Sequence, residues 1–129
     1  MKPKKREIVW LKYDGRCAYC GDEIDYENMQ IDHINPLARG GKNEMDNYNP
    51  SCRSCNFYKA DFALWAFREQ LMTIIQRLEK LFIVRMAIKF NIIKLAPFDG
   101  KFYFEKLVSK NNLYNNINPK KEHNEITCN

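Results

Sequence analysis

The sequence predicts an α+β fold: a small mixed core stapled by four cysteines, continued by a C-terminal helical extension and a short β-hairpin. Three observations carry this expectation. Cys17-x-x-Cys20 and Cys52-x-x-Cys55 form two matched pairs, Met29–Ile34 alternates apolar and polar residues, and helical apolar periodicity begins after residue 60. In chain order, residues 6–13 predict a short amphipathic helix, stopped by Asp14-Gly15 before the first cysteine pair. Residues 29–34 predict a strand, and Pro36 with Gly40-Gly41 opens a loop to about Asn47. Tyr48–Ser51 predicts a brief second strand ended by Pro50, and a helix can start at Arg53. Asp61 is a candidate N-cap for a long amphipathic stretch with Leu64, Phe67, Leu71, Ile74, Leu78, Leu81 and Phe82 on one face. That face is expected to pack as core, since its heptads are too few for a coiled coil. Residues 91–106 predict a hairpin turning at Pro97-Phe98-Asp99-Gly100. The expected organisation is a core over 1–60, a helical extension and hairpin packing on it over 61–108, and a flexible Asn/Lys-rich tail over 109–129.

The cysteine spacing predicts a metal. Thirty-one residues separate Cys20 from Cys52, and the two pairs supply four thiolates, the complement of a tetrahedral structural zinc site. A redox reading of either pair needs a surrounding βαβ pattern, which is missing. Four buried apolar cysteines are the remaining alternative, and Cys128 is expected to be a surface thiol in the tail.

Composition excludes several classes. The chain has 129 residues, 45% of them apolar and 13% aromatic, with only five Gly and five Pro, so it is neither collagenous nor disordered throughout. No apolar run approaches the roughly 18 residues of a membrane span, and the basic N-terminus lacks the apolar core of a secretory signal. The expected setting is the cytoplasm, with reduced thiols. Lys and Arg number 21 against 16 Asp and Glu, a net charge of +5. Residues 21–34 nevertheless hold Asp22, Glu23, Asp25, Glu27 and Asp32 with no basic residue. A basic protein with a local acidic patch suits an anionic polymer bound around a metal-holding centre, although a solvated surface explains the same charge.

The candidate chemistry lies between the cysteine pairs. His33 follows Asp32 at the end of the expected strand, and a neutral imidazole is a natural general base for activating water. Neighbours on a regular strand point to opposite faces, so the two act on one atom only through a distortion or from two sides of a metal. Asn56 follows Cys55 at the start of the expected helix, and clamping the cysteine pairs together brings it near Asp32. Carboxylate and amide oxygens are hard ligands suited to Mg²⁺ or Mn²⁺. Taken singly, His33 reads better as a histidine satisfied at a strand end, and Asn56 as a helix cap. Arg39, Lys42, Arg53 and Lys59 are the nearest candidates for phosphate contacts, with plain surface charge as the alternative.

Together these residues resemble an HNH endonuclease of the four-cysteine zinc branch found in phages and bacteria. The resemblance is carried by Cys17-Ala18-Tyr19-Cys20-Gly21, Ile31-Asp32-His33-Ile34-Asn35-Pro36, Gly40-Gly41, the run Asp46–Asn56, and Lys59, and covers about residues 6–60. Tyr48 stands where an aliphatic residue is usual, and Ala60 where Gly often follows the lysine. The resemblance implies a ββα-metal core with the zinc separate from one catalytic divalent cation. It implies His33 as general base, Asp32 and Asn56 as ligands of that cation, and Asn47 as the residue that braces the loop and orients the base. Metal-dependent hydrolysis of DNA, by nicking or double-strand cutting, follows as the expected activity, with 5′-phosphate and 3′-hydroxyl ends. The expected partner is DNA, with a phage packaging or defence partner as a further expectation. A zinc-stapled nucleic-acid-binding or interaction module without catalysis is the alternative, but such a module has no use for Asp32, His33 and Asn56.

Overall fold

The structure, a computed structural model, describes residues 2–110. Its elements are α1 (Lys5–Leu11), β1 (Gln30–His33), β2 (Tyr48–Ser51), α2 (Arg53–Lys59), α3 (Leu64–Met72), α4 (Ile74–Leu78), α5 (Phe82–Lys89) and α6 (Tyr103–Lys110). Helix α1 ends because the chain turns left-handed at Asp14 and Gly15. Its Val9 is buried, and Trp10 Nε1 donates to the Ile24 carbonyl at 2.8 Å, which ties α1 to the loop that returns from the first cysteine pair.

β1 and β2 pair antiparallel, with Gln30 opposite Ser51, Ile31 opposite Pro50, Asp32 opposite Asn49 and His33 opposite Tyr48. β2 runs through Pro50 instead of ending there. A two-stranded ladder has free outer edges, so a residue with no N–H is tolerated where its polar groups face away from the partner. Pro50 does so: its carbonyl accepts from Ala18 N at 2.8 Å, on the cysteine loop. The loop between the strands closes on Gly41, where a Cβ would lie 1.8 Å from the Asn35 carbonyl oxygen. Only glycine fits there. α2 follows β2 after one residue, Cys52, whose sulfur accepts from Cys55 N as the helix cap.

Two expectations for the second half are corrected. The long helix is broken into α3, α4 and α5, and its entry cap is Ala63 rather than Asp61. Thr73 interrupts it, with its hydroxyl bonded to the Glu69 carbonyl at 3.0 Å. Leu64 and Phe67 are buried, whereas Leu81 and Phe82 are exposed, because among the described residues no core surface lies beneath the later turns. The hairpin does not form either. Residues 93–99 have no regular structure and residues 103–110 are helical. The donors of Tyr103 and Phe104 bond instead to the carbonyls of Tyr19 and Ala18, at 3.1 and 2.9 Å. The cysteine loop thus takes the backbone groups that a strand partner needs. The tail expected from residue 109 lies, from residue 111 onward and with Cys128, outside the described residues.

Phe102 and Phe104 are buried against that loop, and one apolar cluster joins Val9, Cys17, Tyr19, Met29 and Tyr48 to Leu64, Phe67, Phe102 and Phe104. Phe67 and Phe102 stack at 5.0 Å, and Tyr19 meets both edge-on at 5.4 and 5.3 Å. Arg68 on α3 grips Glu105 on α6 through two contacts of 2.7 Å. Phe102→Ala is therefore expected to cost about 3–5 kcal/mol, the usual loss for emptying a phenylalanine site. A urea titration checks it, and a loss under 1 kcal/mol would mean that the 100–106 segment is not part of the core.

Candidate metal centre and active site

Cys17 and Cys20 sit on the tight loop after α1, Cys52 caps α2, and Cys55 lies in its first turn. Their four sulfurs lie within 4.8 Å of one another, and Cys20 and Cys52 are 3.9 Å apart. A tetrahedral zinc with bonds of about 2.3 Å places its sulfurs about 3.8 Å apart, so the cage is close to the required size. Backbone donors from Tyr19 and Cys55 reach the sulfurs of Cys17 and Cys52, both at 3.4 Å. A hydrogen bond from Cys55 holds the Cys17 thiol down at about 4, and the same bond pushes Cys55 upward. Burial raises Cys20 to about 12. One thiolate thus suppresses ionisation of its neighbours, and a dication relieves that conflict by holding all four as thiolates. The cluster can hold a metal ion such as zinc.

The cysteine cage fixes what lies beside it. Tyr19, between the first two cysteines, donates its hydroxyl to Asp32 Oδ2. Lys59, at the last turn of α2, lies 3.1 Å from the same oxygen and donates to the His33 carbonyl at 2.9 Å. Asp32 is 5% exposed and Lys59 0%. Burial pushes the Asp32 carboxyl up and the Lys59 ammonium down, and their mutual attraction opposes both shifts. The expectation that Lys59 contacts DNA phosphate is therefore corrected: its charge is sealed under the sheet. Arg39, Lys42 and Arg53 are exposed. Arg39 also spends its Nε on the Asp61 carbonyl, at 2.9 Å.

His33 faces elsewhere. β1 is regular through it, so Asp32 turns toward α2 while the imidazole packs edge-on against Tyr48, its partner on β2, at 5.3 Å. His33 Nε2 lies 2.8 Å from Asn43 Oδ1, and the Tyr48 hydroxyl donates to the same oxygen at 3.5 Å. That oxygen only accepts, so Nε2 carries the proton of the neutral ring and Nδ1 keeps a free lone pair. Asn47 does not touch the ring. Its side chain accepts from Asn35 N and donates to the carbonyls of Asn35 and Lys42, at 2.9–3.0 Å. It holds the loop that presents Asn43. Asn56 is half-buried and lines a hollow with Gln30, Arg53, Ser54 and Phe57.

Three residues of this site were not legible as such in the sequence: Tyr19, Asn43 and Asn49. Asn49 lies directly across from Asp32, fully buried against the Tyr19 hydroxyl, yet its amide makes no hydrogen bond of good geometry. Tyr19 was marked only by its place between two cysteines. Asn43 carried no signal, because nine residues of loop separate it from His33.

A strand pair and a helix, clamped by a four-thiol cage, form a ββα core. Residues 17–72 match the family described as HNH endonuclease. The chain is 43% identical over 54 residues to the CRISPR-associated endonuclease Cas9 of Corynebacterium diphtheriae, covering 40% of this chain and 5% of that protein. It is 32% identical over 69 residues to the SPbeta prophage-derived protein YoqL of Bacillus subtilis, whose name places it with HNH endonucleases, covering 44% of this chain and 30% of that one. Among solved structures, the Type II-C Cas9 enzyme from Actinomyces naeslundii is similar with a TM-score of 0.48 at 30% identity, over 51% of this chain and 8% of that one. The chain thus spans a small part of each of these relatives. No helix among the described residues is long and apolar enough to cross a membrane.

Proposed function

We propose that this protein is a metal-dependent endonuclease that hydrolyses DNA phosphodiester bonds, with His33 as its general base. The observation that carries the reading is the imidazole itself: half-buried, anchored through Nε2 to Asn43, and free to accept at Nδ1. Nδ1 of His33 takes a proton from water as that water attacks phosphorus in line. The bond from phosphorus to the 3′-oxygen breaks, and that oxygen takes a proton from solvent, leaving 5′-phosphate and 3′-hydroxyl ends. Asn43 keeps the required tautomer, and Asn47 keeps Asn43 in place. Arg53 and Lys42, with Arg39, meet the strand's phosphates from the exposed surface. Asp32 and Asn56 offer hard oxygen donors for Mg²⁺ or Mn²⁺, while the cysteine cage takes zinc. When bound, the hard cation supplies Lewis-acid stabilisation of charge developing on the phosphate. The relatives named as endonucleases support a nucleic acid as substrate, and YoqL, named as prophage-derived, supports a phage setting.

One observation favours the non-catalytic alternative. Asp32 already has a counter-ion, so a cation can use its carboxylate only when Lys59 moves aside. Lys59→Met tests this directly. Breaking a buried ion pair leaves an uncompensated charge and is expected to cost about 3–5 kcal/mol in metal-free urea titrations. If Asp32 is a cation ligand, millimolar Mn²⁺ raises the melting temperature of this variant more than that of the parent; equal shifts remove Asp32 from the ligand set. The activity is tested with supercoiled plasmid and Mg²⁺ or Mn²⁺. Relaxed or linear product, abolished by EDTA too mild to strip the zinc, is the expected result. Intact plasmid under all these conditions leaves the binding module as the correct reading.

A further inference from the structure

On the exposed flank of α2, Phe57 is 86% exposed, among the most exposed large apolar side chains described. An isolated surface phenylalanine is ordinary, but this one has particular neighbours. It borders a hollow of about 450 Å³ shared with Arg53, Ser54 and Asn56 of the same helix and with Gln30 at the start of β1. The spacing explains the grouping. Arg53, Asn56 and Phe57 stand at i, i+3 and i+4, one stripe of α2, whereas Cys52, Cys55 and Lys59 turn inward to the metal cage and to Asp32. Gln30 shares the face of β1 that carries Asp32. The hollow therefore opens on the Asp32 side of β1 and combines an aromatic face, a guanidinium and two amides.

That combination matches one nucleotide taken out of its stack. We infer that Phe57 is a stacking platform for an unpaired base of the bound DNA, with Arg53 on the adjoining phosphate and Gln30 facing the base edge. The inference rests on the DNA reading above and adds a substrate class to it: DNA that is locally unpaired near the cut, such as a bubble, flap or single strand. Aromatic rings bind any base through its π-face, so the preference is for structure rather than for sequence. A base inside an intact duplex does not reach the ring without being unstacked first, which disfavours fully paired DNA.

The test compares two labelled 30-base-pair DNAs, one fully paired and one with a three-nucleotide mismatch bubble. Binding is followed by fluorescence anisotropy with the zinc-loaded full chain carrying His33→Ala to prevent cutting. The expected result is about tenfold tighter binding to the bubble. Adding Phe57→Ala is expected to remove the preference and leave duplex affinity unchanged, while Phe57→Trp keeps it and shows bubble-dependent quenching absent from the alanine variant. Because the side chain is so exposed, neither substitution endangers the fold. Equal affinity of the starting protein for both DNAs, or a preference that survives Phe57→Ala, overturns the inference. Plasmid cutting by the unaltered chain combined with either result overturns the stacking site alone. Failure to bind either DNA, with no plasmid cutting, overturns the nuclease reading together with it.

Discussion

His33→Ala is expected to lower the DNA-cleavage rate by about 10²–10⁴-fold, the usual worth of a positioned base, with metal content and fold unchanged. The fold should survive because the ring is half-buried at the end of a ladder and is not itself a member of the main apolar cluster, which it meets at Tyr48. Asn43→Ala separates positioning from chemistry. It leaves the base in place but frees Nε2, so the neutral ring populates the wrong tautomer, and a smaller loss of rate is expected. Single-turnover cleavage by a folded, zinc-containing His33→Ala variant decides the matter. Undiminished cutting by that variant would falsify the assignment of the base.

Removal of the cysteine-bound metal is expected to unfold the region around β1, β2 and α2. Structural zinc contributes on the order of 10–16 kcal/mol in small zinc-folded peptides, comparable to or above the whole stability of an ordinary domain. Here the cage joins the loop after α1 to the first turn of α2, and the sheet it organises has only two strands. A two-stranded sheet is marginal by itself. The crowded thiols add to the effect, since without a cation one anion holds its neighbours protonated. Freshly purified protein should contain one zinc per chain. Cys52→Ser, or a strong chelator, should abolish the cooperative melting transition, and acid should release the metal as the thiolates are protonated. Less than half an equivalent of zinc, or a cooperative transition that survives full chelation, would contradict a structural role for the cage.

The way the molecule divides between local and long-range information explains which readings held. The spacing of the cysteines, the alternation at 29–34 and the breaker-free run after Cys52 are local signals, and strand, helix and cage follow them closely. A two-residue spacing and a period of two both act within a few bonds, so neighbours in the chain suffice to decide them. Pro50 shows where such rules weaken. It stops a strand that needs its N–H, but here the ladder asks nothing of that position.

What the sequence could not decide was which surfaces would be covered. Phe102-Tyr103-Phe104 has the alternation of a strand, yet two phenylalanine rings find a larger apolar surface on Tyr19 and Phe67 than a hairpin provides. Burial of that size outweighs a strand preference spanning about 1 kcal/mol. Lys59 looks in sequence like any helix-surface lysine. It is buried because the cage docks α2 over β1 and leaves the Asp32 carboxylate in need of a counter-ion. His33 acquires its tautomer from Asn43 through a loop closed by Gly41 and tied by Asn47. By itself, the sequence determined the four-cysteine cage and the strand bearing Asp32 and His33. Tertiary packing decided which side chains are sealed, which are exposed and which way each faces, because solvent exposure depends on residues far apart in the chain.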